Sequence, residues 1–578
     1  MAEEMNGAQL LVESLLANGV KNVYGLVGIP VTDVARLMEL KGIDFYGFRR
    51  EDAAVEAAAI AGYLTGRPGF ALTVSAPGFL NGLVALKEAT QNCFPMVLMS
   101  GSSDRALIDM DRGEYEGLDQ YNVAKPLCKA AYRIDKPEDV GLGVARAIRT
   151  AMTGRPGGVY LDLPGEMLGE ICDLDDPMST VQVPVDPAPA MEPSDKAIAR
   201  AVEVLKSAKQ PAILIGKGAA YAKAEDQIRD FVESTNIPFV PMSMAKGVVP
   251  DGHKSSAAAA RSLALGQSDV IILMGARLNW LLSNGASPKP FGKDVKFIQI
   301  DIDGEEIDSN RHIAAPLVGD MVSVLKKFVP AVKASGYKAP QEWLDQIAAK
   351  RAANVEKMSK RCEAGRNREP MGFYGALLPI KELIAEHPDT YLVSEGANTL
   401  DMGRDIIDIL QPRHRLDTGT WGVMGVGLPY AVGAAVETGR PVIALEGDSA
   451  FGFDGMEMDT ICRYNLPVTV VIANNAGVYN GIDHKIGDET VKQHVPTYLG
   501  FSHYEKISEA FGGNAYEVHN STEMAQALKE AYESGKPAII NAILGEKMGA
   551  ESGHIGHLNP VVFHEGMEGY VAPKPKTK

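Results

Sequence analysis

The chain has 578 residues, 46% apolar and 23% charged, too long for one hydrophobic core and near the size of three or four ordinary domains. A formal charge of −17 argues against broad neutralisation of nucleic-acid phosphates, and no apolar run approaches the roughly twenty residues that span a bilayer. Five scattered cysteines without a CxxC pair imply neither a zinc centre nor a disulfide framework, so a cytoplasmic protein with no nucleic-acid or membrane partner is expected.

Apolar strands alternate with helical periods along the whole chain, at 23–27, 71–74 and 96–100, then 212–215, 270–274 and 296–300, then 391–394, 442–446 and 468–473. Short apolar strands separated by helices form parallel sheets covered on both faces. A Pro- and Asp-rich stretch at 173–193 and a charged, helical connection at 335–370 separate them. The expected fold class is α/β, with three doubly wound parallel-sheet domains at 1–180, 190–345 and 365–578.

In the first block a strand at 45–48 runs through Arg49 and Arg50 into an alanine-rich helix, which puts Glu51 at the helix start. An acid there either stabilises the helix N-terminus or serves a site. No histidine precedes His253, so chemistry in this third must use Glu, Asp, Tyr or Lys. Tyr115 and Glu116 are candidate proton donors or a solvated loop.

In the second block, Gly216-Lys217-Gly218 follows a strand and opens a helix, an arrangement that can cradle phosphate. Arg277 and Asp301-Ile302 follow the next two strands, placed to hold a nucleotide's phosphate and ribose, unless the domain is a Rossmann-like buttress without ligand.

The third block is the most specific. Gly447-Asp448-Ser449 ends one apolar strand and Asn474-Asn475-Ala476-Gly477 ends the next, with a helix-length stretch between. One right-handed crossover returns the second strand beside the first, and both ends face the side of the sheet where ligands bind. Asp448, the Asn475 amide oxygen and the Gly477 carbonyl are the hard oxygen donors magnesium prefers, with substrate phosphate completing its shell. Glu395 to Asn398, with Arg404, follows a strand facing the same end. Met424, in Trp421-Gly422-Val423-Met424, reads on its own as core packing. Near the C-terminus, glycines bracket His554-Ile555 after Ser552, which suits a flap or a frayed end, and 572–578 reads as a disordered tail.

The Gly-Asp-Ser to Asn-Asn pair resembles the thiamine-diphosphate signature. Further runs extend the likeness across all three blocks: Val27-Gly28-Ile29-Pro30, Ser75-Ala76-Pro77-Gly78-Phe79, Gly154-Arg155-Pro156-Gly157, Gly275-Ala276-Arg277-Leu278-Asn279-Trp280 and Glu446-Gly447-Asp448-Ser449-Ala450-Phe451. Together they resemble the oxalyl-CoA decarboxylase family. The resemblance implies pyrimidine-binding, central Rossmann-like and diphosphate-binding domains, thiamine diphosphate with Mg2+, and ADP as activator. It implies decarboxylation of oxalyl-CoA to formyl-CoA and carbon dioxide, a CoA thioester as substrate, and a homodimer or homotetramer. Glu51 would serve the coenzyme's aminopyrimidine nitrogen, and Tyr115, Glu116, Tyr479 and Ser552 would complete the catalytic set. Ile29, Gly422, Met424, Asp448, Ser449, Ala450, Asn475, Gly477, Val478 and Tyr479 would hold the coenzyme, with Asp448, Asn475 and Gly477 on the metal. Arg155, Lys217, Arg277, Asp301 and Ile302 would take ADP, and Asn398, Arg404 and Ser552 would take CoA.

Two departures stand out. Relatives commonly read Tyr-Glu-Glu where this chain has Tyr115-Glu116-Gly117, and carry His before the acid where it has Arg50. A glycine removes charge and bulk and loosens the loop. Whether drift or an introduced change, Gly117 raises an alternative: a 2-hydroxyacyl-CoA lyase, or a carboligase joining a formyl-CoA unit to an aldehyde.

Overall fold

The computed structural model describes residues 4–478, 498–545 and 566. They form two compact units, one of Met1–Val355, Leu410–Val423 and Val432–Gly439, the other of Glu356–Ile409, Met424–Ala431 and Arg440–Lys578.

The first unit carries two parallel sheets. Its first sheet has β1 (Asn22–Leu26), β2 (Asp44–Gly47), β3 (Gly69–Thr73), β4 (Met96–Ser102), β5 (Ala130–Arg133) and β6 (Gly158–Pro164), in the spatial order β2-β1-β3-β4-β6-β5. The central strands β3, β4 and β6 are buried throughout, so their apolar residues come in runs rather than alternating with polar ones, although β4 ends Ser100-Gly101-Ser102 and β6 carries the buried Asp162. Its second sheet has β7 (Pro211–Ile215), β8 (Phe239–Pro241), β9 (Val270–Met274), β10 (Lys296–Asp301) and β11 (Ala315–Val318), ordered β11-β10-β9-β7-β8. Every pairing in both sheets is parallel.

A short strand, β13 (Arg415–Asp417), also falls within the first unit. There the fully buried Arg415 donates through Nε to Ser243 Oγ at 2.9 Å.

In the second unit, β12 (Tyr391–Ser394), β14 (Val442–Gly447), β15 (Val468–Asn474), β16 (Asn514–Val518) and β17 (Ala538–Ile543) run in the order β12-β14-β15-β17-β16, again all parallel. The register sets Gly447 of β14 beside Ala473 of β15, so the residues that follow these strands emerge together. The expected charged connection is one long helix, Gln341–Arg366. The Pro- and Asp-rich stretch holds only a short 3-10 turn, Pro177–Thr180, since proline removes backbone donors. Among the described residues no helix is long and apolar enough to cross a membrane, and none of the five cysteines forms a disulfide.

Candidate active site

At the carboxyl ends of the first sheet, four consecutive strands deliver candidate residues: Glu51 after β2, Ile29 after β1, Ser75 after β3 and Glu116 after β4. Glu51 is the first residue of helix Glu51–Thr65 and is buried. Asn81 Nδ2 donates to its Oε2 at 3.0 Å, and a methyl group at Gly78 would sit 3.0 Å from Oε1. Asn81 thus holds one oxygen while the glycine at 78 leaves room beside the other, and the helix start favours negative charge. Ser75 Oγ bonds both Ile29 O and the Glu116 carboxylate, tying two of the predicted residues together. Tyr115 is exposed and Ile29 largely so. Gly117 adopts no left-handed backbone angle, and a Cβ there would meet Glu114 at 3.4 Å, an ordinary contact. The fold does not require that glycine.

At the carboxyl ends of the third sheet, Asp448 follows β14 and opens helix Asp448–Asp454. Its Oδ1 accepts from Ser449 N at 2.8 Å and its Oδ2 from Gly477 N at 2.8 Å. Asn475 is buried directly after β15, and Ala476 takes a left-handed φ of 62°, turning the chain so that the Gly477 amide points back at Asp448. Burial pushes the Asp448 carboxyl up to about 7, against the opposing pull of the Ser449 and Gly477 amides. A carboxylate held there, with lone pairs to spare beside an amide oxygen, suits a divalent cation, whose charge reverses that penalty. A Cβ at Gly447 would meet nothing within 4 Å, so the strand end is open to a ligand. Ser449 is half-buried, Ala450 buried and Val478 half-buried, while Gly422 and Met424 are exposed.

Sequence reasoning did not anticipate an acidic cluster in the same unit. Glu395, Glu446 and Asp454 are wholly buried with ligand atoms within 4.8 Å of one another. Burial pushes Glu395 up to about 7, opposed by the Gly425 and Gly427 amides. It pushes Glu446 and Asp454 well above the carboxylate range, each further raised by an acidic neighbour. The only sequence signal was Glu446 inside an apolar strand.

In the second sheet, Lys217 Nζ donates to Asn92 Oδ1 at 2.9 Å, and burial pulls its ammonium down to about 8. The helix it opens, Lys217–Tyr221, is five residues long, and Cβ atoms at Gly216 and Gly218 would run into the Gly275 turn. These glycines therefore serve close packing of two turns, a role invisible in the local sequence. Arg277 donates to Gln91 O at 2.9 Å, and Arg155 pairs with Asp301, Asp303 and Glu306. Ile302 is half-buried. In the second unit Arg404 pairs with Asp401 and Asp405, and Asn398 is buried. Tyr479, Ser552, the flap around it and the C-terminal tail lie outside the described residues.

Family models for the thiamine pyrophosphate enzymes match three stretches: the N-terminal binding domain at 5–123, the central domain at 198–328 and the C-terminal binding domain at 396–542. The chain belongs to the thiamine pyrophosphate enzymes. Thiamine diphosphate is therefore its coenzyme, and the three parallel-sheet domains are that family's N-terminal, central and C-terminal domains. The chain is 49% identical to an oxalyl-CoA decarboxylase of Escherichia coli K12 over 556 residues, covering 96% of this chain and 98% of that one. It is 42% identical to a 2-hydroxyacyl-CoA lyase of Oryza sativa over 576 residues, 96% and 98% of the two chains. It is 39% identical to the human 2-hydroxyacyl-CoA lyase 1 over 557 residues, 94% and 95%.

Proposed function

We propose that the protein is a cytoplasmic, Mg2+-dependent decarboxylase of oxalyl-CoA, releasing carbon dioxide and formyl-CoA. The observation that carries this reading is the Asp448 carboxylate, buried and gripped by the Ser449 and Gly477 amides beside Asn475, in a chain so similar to an oxalyl-CoA decarboxylase. Asp448, Asn475 and the Gly477 carbonyl hold the metal, and Ser449, Ala450 and Val478 line the diphosphate. Thiamine diphosphate, when bound, supplies a nucleophilic carbon and an electron sink.

The chain's own groups do the rest. With the coenzyme bound, Glu51 would hold a proton on its pyrimidine, and Ile29, Gly422 and Met424 would contact and support it. Glu116, braced by Ser75, and Tyr115 deliver the proton that replaces carbon dioxide, with Tyr479. A dry site favours loss of carbon dioxide, because charge is dispersed as it leaves. Asn398, Arg404 and Ser552 take the CoA. Arg155, Lys217, Arg277, Asp301 and Ile302 gather around one end of the central sheet and take ADP. The acid and the metal ligands come from different copies, making a homodimer the smallest active unit and a homotetramer the assembled form.

The test is metal- and coenzyme-stripped protein given oxalyl-CoA. Formyl-CoA forming only when thiamine diphosphate and Mg2+ are both restored supports the reading, and no product under any condition defeats it. A second reading, lyase or carboligase, is favoured by the room at Gly117 and by the lyase relatives. Glycolyl-CoA from formyl-CoA and formaldehyde would establish it.

A further inference from the structure

Glu395 lies directly after β12 and is fully buried, in the same unit as Asp448. Its two oxygens are used separately: Oε1 accepts from Gly425 N at 2.6 Å and Oε2 from Gly427 N at 2.6 Å. One side chain therefore pins the backbone at two points immediately after Met424. Between those points the chain is held in a demanding shape. Gly425 has φ 93°, a region open to glycine, and a Cβ there would crowd Phe453 at 3.1 Å. The next amide, Leu428 N, is taken by Asp454 Oδ2 at 2.9 Å. The start of helix Gly427–Thr438 is thus fastened by two carboxylates.

Stability alone is a poor reason for this device. A serine or asparagine cap satisfies helix amides without burying charge, whereas a third carboxylate, Glu446, lies against the pair with no hydrogen-bond partner for either oxygen among the described residues. Crowding acids in a dry interior opposes folding. What a carboxylate adds is stiffness, because charge-assisted bonds from one planar group to two amides are short and fix orientation.

We propose that Glu395 is a positioning residue, setting the Met424 turn in its working shape before the coenzyme arrives. This rests on the thiamine-diphosphate reading above. Met424 then meets the coenzyme as a rigid wedge, and the binding energy is not spent on ordering the loop.

Glu395→Gln keeps size and one acceptor but turns an N–H donor toward another N–H. In the holoenzyme it is expected to lower kcat roughly 10- to 100-fold, to leave the KM for oxalyl-CoA within about twofold, and to alter the near-ultraviolet circular dichroism of bound coenzyme. Glu395→Asp, which keeps the charge, recovers part of both. Unchanged kcat and an unchanged dichroism band, even with a lower melting midpoint, would make Glu395 a helix cap and overturn the proposal.

Amide hydrogen exchange on the wild-type protein removes any dependence on variant folding. Peptides covering 425–428 are expected to be protected already without coenzyme. Free exchange there until coenzyme is added overturns the assignment. If the wild type binds coenzyme yet leaves oxalyl-CoA intact, the reaction reading falls, while the dichroism and exchange results still decide the role of Glu395.

Discussion

The two sheet ends that carry the site residues use acids in opposite ways. After β2, Glu51 stands at a helix start with Asn81 as its neutral partner. In the second unit Glu395, Glu446 and Asp454 crowd together and Asp448 opens the helix that Asp454 ends, and three of these four accept backbone amides. An acid that must exchange a proton needs an environment that leaves one face uncommitted. Acids that hold a cation or shape a loop work best when the main chain fixes them. The end of the central sheet follows a third pattern, in which cations are matched across two sheets: Arg155, just before β6, by Asp301 and Glu306, and Lys217 and Arg277 by Asn92 and the Gln91 carbonyl of the helix Pro77–Asn92.

The widest break in this comparison is at Glu51. Glu51→Gln keeps the Asn81 contact but cannot carry the proton, so turnover is expected to fall about 100- to 10,000-fold while the melting midpoint stays near that of the wild type. Turnover within a fewfold of wild type would show that this acid only caps its helix. Next comes the proposed metal end. Asp448→Ala is expected to weaken retention of Mg2+ and thiamine diphosphate more than about 100-fold, measured by calorimetry on stripped protein. Retention at the wild-type level would move the metal elsewhere.

Much of this contrast was legible before any coordinates. β9 and β12 lie where the apolar runs place them, because fully buried parallel strands cannot alternate. Asp448 and Asn475 were readable because each ends such a strand, and parallel pairing brings strand ends together without further information. Glu395 was not readable as a clamp. Its amide partners lie some thirty residues on, across a turn whose course depends on Gly425, and no local pattern encodes that meeting. The Gly216 and Gly218 turn was readable only in part: Cβ atoms there would run into the Gly275 turn, a packing demand written with the same glycines that a phosphate cradle uses.

Acidity sharpens the comparison further. Burial raises Asp448 and Glu395 to about 7 and pushes Glu446 and Asp454 well above the ordinary carboxylate range. Between the ordinary carboxylate range and those values, the folded chain holds protons that the unfolded chain has lost, so stability falls as pH rises through that window. Protein stripped of metal and coenzyme is therefore expected to melt higher at pH 5.5 than at pH 8, judged by calorimetry. Restoring Mg2+ and thiamine diphosphate should flatten the difference, since a cation beside Asp448 favours its charged form. A stripped protein that melts at the same temperature at both pH values would mean that the crowded acids are relieved in solution by some other charge.

Gly117 offers the smallest energetic change and the finest chemical distinction. Its backbone angle is open to any residue and a Cβ meets only an ordinary contact, so Gly117→Glu should shift stability by no more than about 0.5 kcal/mol in chemical denaturation. The added carboxylate would restore charge beside Glu116 and fill the room an aldehyde would use. If the open loop is what admits a second substrate, the variant should lose glycolyl-CoA formation from formyl-CoA and formaldehyde while keeping decarboxylation. Equal loss of both activities would instead tie residue 117 to proton delivery by Tyr115 and Glu116, extending the demands of the Glu51 sheet end to the loop after β4.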